Sequence, residues 1–248
     1  MFDPFGDFES AGYLRNIEGL KDAREVKIQE HLFFEANLEE ALAFLASIRG
    51  RIGYRDFLRV HAILFSDFYP WAGQDRRALG VGRLVGRGAG LQFEVSELCQ
   101  RAVEWGLDMG NDAGTLRDKP GAVMGAFALG HPFLDGNGRS MLLIHAELCH
   151  RAGFAIDWLA SNKEAYLKAL TQEIQNPQGR HLDAYLRPLI TPANTQTTLL
   201  DHLRALPGLK GPGDDVHRPD MNVAYRADDQ EAAQSYLEMK RARGEHAA

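Results

Sequence analysis

"HPFLDGNGRSML", residues 131–142, places a histidine, a carboxylate, an asparagine between two glycines and an arginine directly ahead of an apolar run. The preceding stretch, "AVMGAFALG" (122–130), is apolar and ends in glycine, so a helix is predicted to end there. The following stretch, "RSMLLIHAELCHRAG" (139–153), carries its leucines at helical spacing and predicts the next helix. Residues 131–138 are therefore predicted to form a loop that leads into a helix N-terminus.

This loop has the residue types of an anion site. The free amides at a helix N-terminus and the helix dipole both favour a negative charge. Gly136 and Gly138 have no Cβ and let the backbone approach such an anion closely. Arg139 can bond phosphate oxygens through two of its nitrogens, and Asn137 offers a neutral amide donor. The pattern indicates phosphate binding.

Two further side chains complete a phosphate-transfer chemistry. Asp135 is a hard oxygen ligand suited to Mg²⁺, which prefers one or two carboxylates together with phosphate oxygens. An unperturbed histidine has a pKa of about 6.5, so His131 is suited to accept a proton near neutrality. Together these residues predict transfer from a nucleoside di- or triphosphate to a hydroxyl. From the residues alone, a structural interpretation also stands: a loop histidine, a turn aspartate and a surface arginine.

The nine residues "HPFLDGNGR" (131–139) resemble the signature loop of Fic-domain proteins, His-x-Phe-x-Asp/Glu-Gly-Asn-Gly-Arg. Other stretches resemble blocks of bacterial Fic proteins in the same order: "GYLRNIEGLKDAREV" (12–26), "FSDFYPWAGQDRR" (65–77) and "AGFAIDW" (152–158). The resemblance implies a mainly α fold, with a Fic-type helical core and a small β-hairpin flap near the active site.

The resemblance also implies a role for each site residue. His131 would be the general base on a Ser, Thr or Tyr hydroxyl of a target protein, and Asp135 would bind Mg²⁺. The phosphates of the substrate ATP would be held by Gly136, Asn137, Gly138 and Arg139. Most members of the family move AMP from ATP to such a hydroxyl, and others transfer a phosphoryl group, UMP or phosphocholine.

Residues 78–93 predict the flap independently. The segment holds five glycines among apolar and arginine residues, which excludes a stable helix and favours a short hairpin or an exposed loop. In the family such a flap docks the target backbone as an added strand. Arg76, Arg77, Arg83 and Arg87 make this region basic. They are interpreted either as solvated loop charges or as attraction for an acidic target or the nucleotide.

Leu142 is a departure from the commonest AMP-transferring pattern, which has a second arginine at this position. In the family that arginine grips the γ-phosphate, and a glutamate from a Ser/Thr-x-x-x-Glu-Gly/Asn helix can block it. The nearest match to that helix is "LRNIEG" (14–19), where Leu14 replaces the hydroxyl residue. We therefore predict no such latch in this chain, loose recognition of the γ-phosphate, and restraint by a separate small antitoxin or inhibitor protein or no restraint.

Three functions are consistent with the sequence. The first is a protein adenylyltransferase that uses Mg-ATP and His131 as the base. The second is a Fic-fold transferase of another phosphate-containing group, and the third is a non-catalytic Fic-fold protein that binds a nucleotide or a partner. Four intact motif residues argue against the third: His131, Asp135, Asn137 and Arg139. Leu142 is its only support.

Composition and charge exclude some classes of protein. The chain has 248 residues, and its net charge of −6 gives no sign of nucleic-acid binding. No apolar run approaches the roughly 18 residues needed to span a bilayer. The first ten residues, "MFDPFGDFES", lack the basic and apolar regions of a signal peptide. The sequence therefore predicts a cytoplasmic protein with no nucleic-acid or membrane partner. It leaves open whether the protein is a toxin in its own cell or is delivered into another.

The chain is predicted to contain a Fic domain with an N-terminal helical part over residues 1–192. Beyond it the sequence becomes polar and rich in proline and glycine, and residues 193–248 are expected to form an extended tail with a short helix near 228–242. Cys99 and Cys149 have no metal-ligand neighbours at short spacing and are interpreted as reduced core thiols.

Three residues outside the motif are interpreted as structural. His61 lies on an apolar helix stripe, which favours core packing over catalysis. Trp71, in "YPWAG", is predicted to be a packing anchor at a helix end. His145 follows the motif on the next helix, and no second histidine lies four residues from it as in an i, i+4 metal pair, so it is interpreted as structural.

Overall fold

The computed structural model describes residues 13–80, 86–87, 91–193, 199–200, 203–204 and 230–245. Most of these residues are helical, as the sequence predicts. The helices are α1 (Ala23–Ser47), α2 (Tyr54–Phe65), α3 (Cys99–Gly110), α4 (Ala113–Asp118), α5 (Pro120–Gly130), α6 (Asn137–Arg151), α7 (Lys163–Gln175), α8 (His181–Leu186) and α9 (Gln230–Ala242). Short 3₁₀ turns lie at Trp158–Ala160, Pro177–Gly179 and Arg187–Leu189.

A small antiparallel hairpin lies within the predicted flap. Strand β1 (Gly86–Arg87) pairs with β2 (Leu91–Gln92), with Gly86 opposite Gln92 and Arg87 opposite Leu91. The expectation of a mainly α fold with a small β-hairpin is thus confirmed. Residues 81–85 and 88–90 of the segment lie outside the described part of the chain.

A second ribbon was not predicted from the sequence. Strand β3 (Phe154–Ile156) pairs antiparallel with β4 (Ile190–Pro192), and Ala155 lies opposite Thr191. Each strand is three residues long, which is too short for the alternation of apolar and polar residues that identifies a strand. The pairing fixes α6 against the segment that follows α8.

Helix α5 is the central element of the core. Every residue of "PGAVMGAFALG" except Ala122 is buried, which is typical of a helix that has neighbours on all sides. Its N-terminus is capped from α8, because the Asp183 carboxylate accepts hydrogen bonds from the amides of Gly121 (2.7 Å) and Ala122 (3.1 Å). A Cβ at Gly121 would lie 2.2 Å from the Asp183 backbone nitrogen, so only glycine permits this contact. The cap fixes α5, whose far end carries the motif loop.

Described parts of the C-terminal segment, for which an extended tail with a short helix was expected, pack against the fold. Helix α9 lies within the range where a short helix was expected, but it packs beside β2, and Met239 is buried. Leu199 and Leu203 are buried in the same core. These apolar side chains, dispersed among polar residues, become a packing face only when the chain folds back. The division of the chain at residue 192 stays a prediction.

Other structural interpretations hold in the described residues. Cys99 and Cys149 are buried and form no disulfide. Trp71 is buried, and the His145 ring nitrogen Nε2 lies 2.9 Å from the carbonyl oxygen of Pro120. In the described part of the chain, no helix combines the length and apolar character needed to cross a membrane.

Candidate active site

The motif loop connects the C-terminus of α5 to the N-terminus of α6, as the sequence predicts. Helix α5 ends at Gly130, and His131 follows with φ 40° and ψ 56°, in the left-handed region. Helix α6 begins at Asn137, and its N-cap residue is Gly136, with φ 74°. Left-handed backbone costs a non-glycine residue about 1–3 kcal/mol, so surrounding contacts must hold His131 in place.

Asn137 ties the loop together and faces the ring of His131. Its Oδ1 accepts a hydrogen bond from the Phe133 amide (2.9 Å), and its Nδ2 donates to the Phe133 carbonyl (2.8 Å). These contacts fix the orientation of the side-chain amide. The same Nδ2 lies 3.2 Å from His131 Nε2, so it is a donor toward the ring. His131 Nε2 is therefore the acceptor, and a neutral ring carries its proton on Nδ1.

His131 is also held from the side and from behind. Its ring stacks on Phe93, with centroids 3.9 Å apart and planes inclined by 8°. Its carbonyl oxygen accepts a hydrogen bond from Arg76 Nε at 2.8 Å. The Arg76 guanidinium also donates to the carbonyls of Glu94 (2.7 Å) and Gly130 (3.2 Å). Arg76 thus holds the loop and the residues after the flap together.

Neither interpretation of the basic flap is correct for Arg76. Its side chain is fully buried and bonds backbone carbonyls, so it is neither a solvated charge nor a surface that attracts a target. The buried carbonyls around it would otherwise lack donors. Arg77 is exposed, whereas Arg83 and the side chain of Arg87 lie outside the described residues.

His61, on α2, contacts the motif loop through Phe133 and Asp135. Its ring stacks on Phe133 at 3.7 Å between centroids, which confirms the interpretation as a packing residue. The Gly73 amide donates to His61 Nδ1 (2.9 Å), so the proton lies on Nε2 and is donated to the Asp135 carbonyl (3.0 Å). Burial lowers the pKa of His61 to about 3, which keeps the ring neutral. The contact with the loop was missed, because a histidine on an apolar stripe gives no signal of its partner.

The two motif glycines have different reasons to be glycine. A Cβ at Gly136 would lie 2.5 Å from Phe65 Cε2, and its φ of 74° is left-handed. Gly136 is therefore required by the protein itself. A Cβ at Gly138 would have no atom within 4 Å, so packing makes no such demand. A ligand that approaches the first turn of α6 closely would be a reason for glycine at position 138.

Four charged side chains alternate in sign around the loop. Lys27 Nζ lies 2.7 Å from Asp135 Oδ2 and 3.4 Å from Glu30 Oε2. Arg139 pairs with Glu30 Oε1, and its Nη2 lies 3.7 Å from Asp135 Oδ1. Lys27 and Glu30 come from α1, and sequence reasoning missed both. The available signal was a Lys and a Glu three residues apart in a helix that buries several of its apolar side chains.

The charges of this group determine the protonation of Asp135. Burial alone would raise the pKa of its carboxyl, but Lys27 and Arg139 lower it well below its usual range. Burial opposes the charge on Arg139 too, and Glu30 and Asp135 overcome it and raise the pKa of the guanidinium. The Arg139 guanidinium also lies over the ring of Phe65, 4.6 Å from its centroid. Asp135 is thus ionised and Arg139 charged at neutral pH.

Asp135 is suited to bind a magnesium ion only if a bound nucleotide supplies further oxygen donors. Within the described ranges, no group of three or more His, Cys, Asp or Glu side chains could hold a metal. Asp135 is an ionised carboxylate with 21% of its side chain exposed. One carboxylate together with phosphate oxygens is the donor set that Mg²⁺ commonly takes, so the residues present fit this ion.

Leu142 follows Arg139 by three residues, about one turn along α6. It is partly buried and packs against the hydrophobic core. The position three residues after Arg139 therefore contributes to the core and offers no hydrogen bond to a phosphate.

Part of the chain matches a known family. Residues 51–149 match the model of the Fic/DOC family. This range contains the motif loop, Arg76 and His61.

Two bacterial relatives are similar in sequence. The protein adenylyltransferase VbhT of Bartonella schoenbuchensis is 28% identical over 158 residues, which cover 63% of this chain but only 32% of VbhT. The probable protein adenylyltransferase y4lH of Sinorhizobium fredii is 26% identical over 167 residues, which cover 63% of this chain and 81% of y4lH.

Solved structures share the fold. The N-terminal Fic domain of a Bep effector from Bartonella quintana, with bound ADP, has a TM-score of 0.59 and 22% identity, and the match covers 77% of this chain and 96% of that one. BepC from Bartonella tribocorum, with bound AMPPNP, has a TM-score of 0.57 and 17% identity, covering 75% and 96%.

Proposed function

We propose that this protein is an adenylyltransferase that moves AMP from Mg-ATP to a Ser, Thr or Tyr hydroxyl of a target protein. The observation that carries the proposal is the tautomer of His131: Asn137 faces its Nε2, which therefore carries no proton. A target hydroxyl that replaces the Asn137 contact would meet an acceptor at the loop that precedes α6. The ionised Asp135 and the charged Arg139 lie at the same loop. Two relatives with protein adenylyltransferase names support the assignment.

The residues suggest the order of bond changes. His131 accepts the proton of the target hydroxyl while the hydroxyl oxygen bonds to the α-phosphorus of ATP. The bond between that phosphorus and the bridging oxygen breaks, and pyrophosphate leaves. The amides of the first turn of α6 and the Arg139 guanidinium stabilise the negative charge on the phosphates. A magnesium ion held by Asp135 would supply further neutralisation of that charge.

Asn137 is better supported as a positioning residue than as a phosphate ligand. Nδ2 already has two acceptors, the Phe133 carbonyl and His131 Nε2. An amide that orients the base and fixes the loop acts on the reaction through His131. Gly136, Gly138 and Arg139 remain the proposed phosphate-binding residues.

The partner of this site would be a protein segment with a hydroxyl side chain. An extended segment could pair with the β1–β2 hairpin as an added strand, since main-chain hydrogen bonds tolerate many sequences. A separate small inhibitor or antitoxin protein also remains a prediction, because no candidate for the glutamate latch is found in the sequence.

A transferase of another phosphate-containing group is the second candidate, and Leu142, which stands where the commonest AMP-transferring pattern has a second arginine, favours it. Incubation with a cell lysate and ATP labelled at the α- or the γ-phosphate separates the candidates. Protein labelled from the α position alone supports AMP transfer. Label from the γ position alone means phosphorylation. ATP binding without any labelled protein favours a non-catalytic role.

A further inference from the structure

Helix α1 brings a second cation to the motif loop. Lys27 Nζ lies 2.7 Å from Asp135 Oδ2, and 47% of the Lys27 side chain is exposed. Arg139, from the other side, has 18% of its side chain exposed and approaches Asp135 Oδ1. The two cations therefore flank the carboxylate that directly precedes the N-terminus of α6.

The two cations have different means to reach a ligand. Arg139 is held by the buried Glu30 and by the Phe65 ring, so its position is fixed. Lys27 ends in a point charge on a flexible four-carbon stem, and half of it is open to solvent. Its ammonium can exchange the Asp135 carboxylate for a phosphate oxygen over the same loop without any movement of α1.

We propose that Lys27 is a nucleotide-binding residue that contacts the polyphosphate of the nucleotide beside Arg139. The inference rests on the proposed function, because it takes the ligand of the motif loop to be a nucleotide. It also gives the site a second phosphate-binding cation, although Leu142 itself cannot bind phosphate. A flexible ammonium discriminates little between phosphates, so ADP and ATP should both depend on it.

Calorimetry of Mg-ATP and Mg-ADP binding tests the role. Lys27→Met should weaken both affinities by about tenfold, near 1.4 kcal/mol, and Lys27→Arg should recover most of the loss. The matched control is Arg24→Met, which removes an exposed cation one turn earlier on α1. This control separates a direct contact from a change in net charge.

Two results would overturn the proposal. Lys27→Met with no more effect than Arg24→Met would mean that the ammonium does not touch the nucleotide. Tighter binding in Lys27→Met would mean that Lys27 only competes with Mg²⁺ for the Asp135 carboxylate. The proposed function fails separately: a wild-type protein that binds Mg-ATP but transfers no label is not an adenylyltransferase, whatever Lys27 does.

A second inference comes from the other end of the chain. Glu94 is buried, and its carboxylate accepts hydrogen bonds from the Tyr236 hydroxyl and from Lys240 Nζ (2.9 Å), both on α9. Its backbone carbonyl accepts from Arg76, which also holds the His131 carbonyl. A chain of contacts therefore runs from Lys240 through Glu94 and Arg76 to His131.

We infer that Lys240 is a positioning residue for His131 and acts through Glu94. Without Lys240, the Glu94 carboxylate stays buried with less compensation for its charge. The neighbouring Phe93, whose ring stacks on His131, follows any shift of that segment. The ring of His131 should therefore move when Lys240 is removed.

The NMR signal of the His131 Cε1–H group, assigned by its loss in His131→Ala, reports this coupling. Lys240→Met should shift that signal, and Arg241→Met, the exposed neighbouring cation, should not. Adding Lys240→Met to Glu94→Gln should cause little further shift. An unmoved signal in Lys240→Met, or an equal shift in Arg241→Met, contradicts the inference. If the single variant does not fold, a Glu94→Gln/Lys240→Met signal that matches Glu94→Gln supports it, and a large further shift contradicts it.

Discussion

The side-chain amide of Asn137 lies 3.2 Å from His131 Nε2, and its orientation is fixed by the backbone of Phe133. The relationship defines which nitrogen of the ring is the acceptor. It also couples the first residue of α6 to the left-handed residue that ends α5. His131, the proposed base, and the helix N-terminus proposed to bind phosphate are thus held in one arrangement by one side chain.

Replacement of the base tests the mechanism most directly. His131→Ala should lower AMP transfer by about 10²–10⁴, because general-base catalysis typically contributes that factor. Binding of Mg-ATP should stay within a few-fold of wild type, since the imidazole accepts a proton from the target and does not grip phosphate. Labelled-ATP assays and calorimetry measure the two effects. Activity of His131→Ala within twofold of wild type would contradict the mechanism.

Asn137→Asp should shift the pH dependence of transfer. A carboxylate beside Nε2 favours the protonated ring and raises the pKa of His131. The base form then appears only at higher pH, so the rise in activity should move toward alkaline pH and the rate at neutrality should fall at least tenfold. The pH–rate profile of both proteins measures this. An unchanged profile would mean that Asn137 does not act on the base.

The two motif glycines should respond differently to alanine. Gly136→Ala meets a left-handed φ and the Phe65 ring, so unfolding free energy should fall by about 1–3 kcal/mol. Gly138→Ala meets no protein atom, and thermal stability should be unchanged or higher. Its added Cβ should still weaken Mg-ATP binding. Equal affinity of Gly138→Ala and wild type would mean that no ligand approaches this turn.

The folded state should begin to lose stability at pH values well above those at which carboxylates titrate. Burial lowers the pKa of His61 to about 3 and of His145 to about 4. Each ring takes up its proton near pH 6.5 when unfolded, so the unfolded state binds more protons between about pH 4 and 6.5. Stability is therefore fully present above pH 6.5 and lost as pH falls, by about 1.4 kcal/mol per pH unit for each ring.

Urea unfolding from pH 4.5 to 7 measures this slope. His145→Gln removes one of the two titrating rings. The loss of unfolding free energy per pH unit should then be smaller by about 1.4 kcal/mol, the contribution of one proton. A slope that is the same in the variant and in wild type would show that His145 does not stay neutral in the folded protein.

Local signals predicted most of the motif. The apolar run that ends at Gly130, the glycines on either side of Asn137 and the leucines that follow define a helix, a loop and a helix from neighbouring residues alone. The same reasoning predicted the glycine-rich hairpin. It failed for the contacts of Arg76 and for those of the C-terminal helix, because their partners lie on other elements.

The sequence by itself determined the order of helices, the loop and the chemical types of its side chains, since these depend on spacing along one short segment. Only the tertiary structure decided what those side chains face. Lys27 meets Asp135 across 108 residues, and Lys240 meets Glu94 across 146. Such pairs form only when distant segments of the chain pack together, because burial removes the solvent that would otherwise screen each charge and makes a partner of opposite sign necessary.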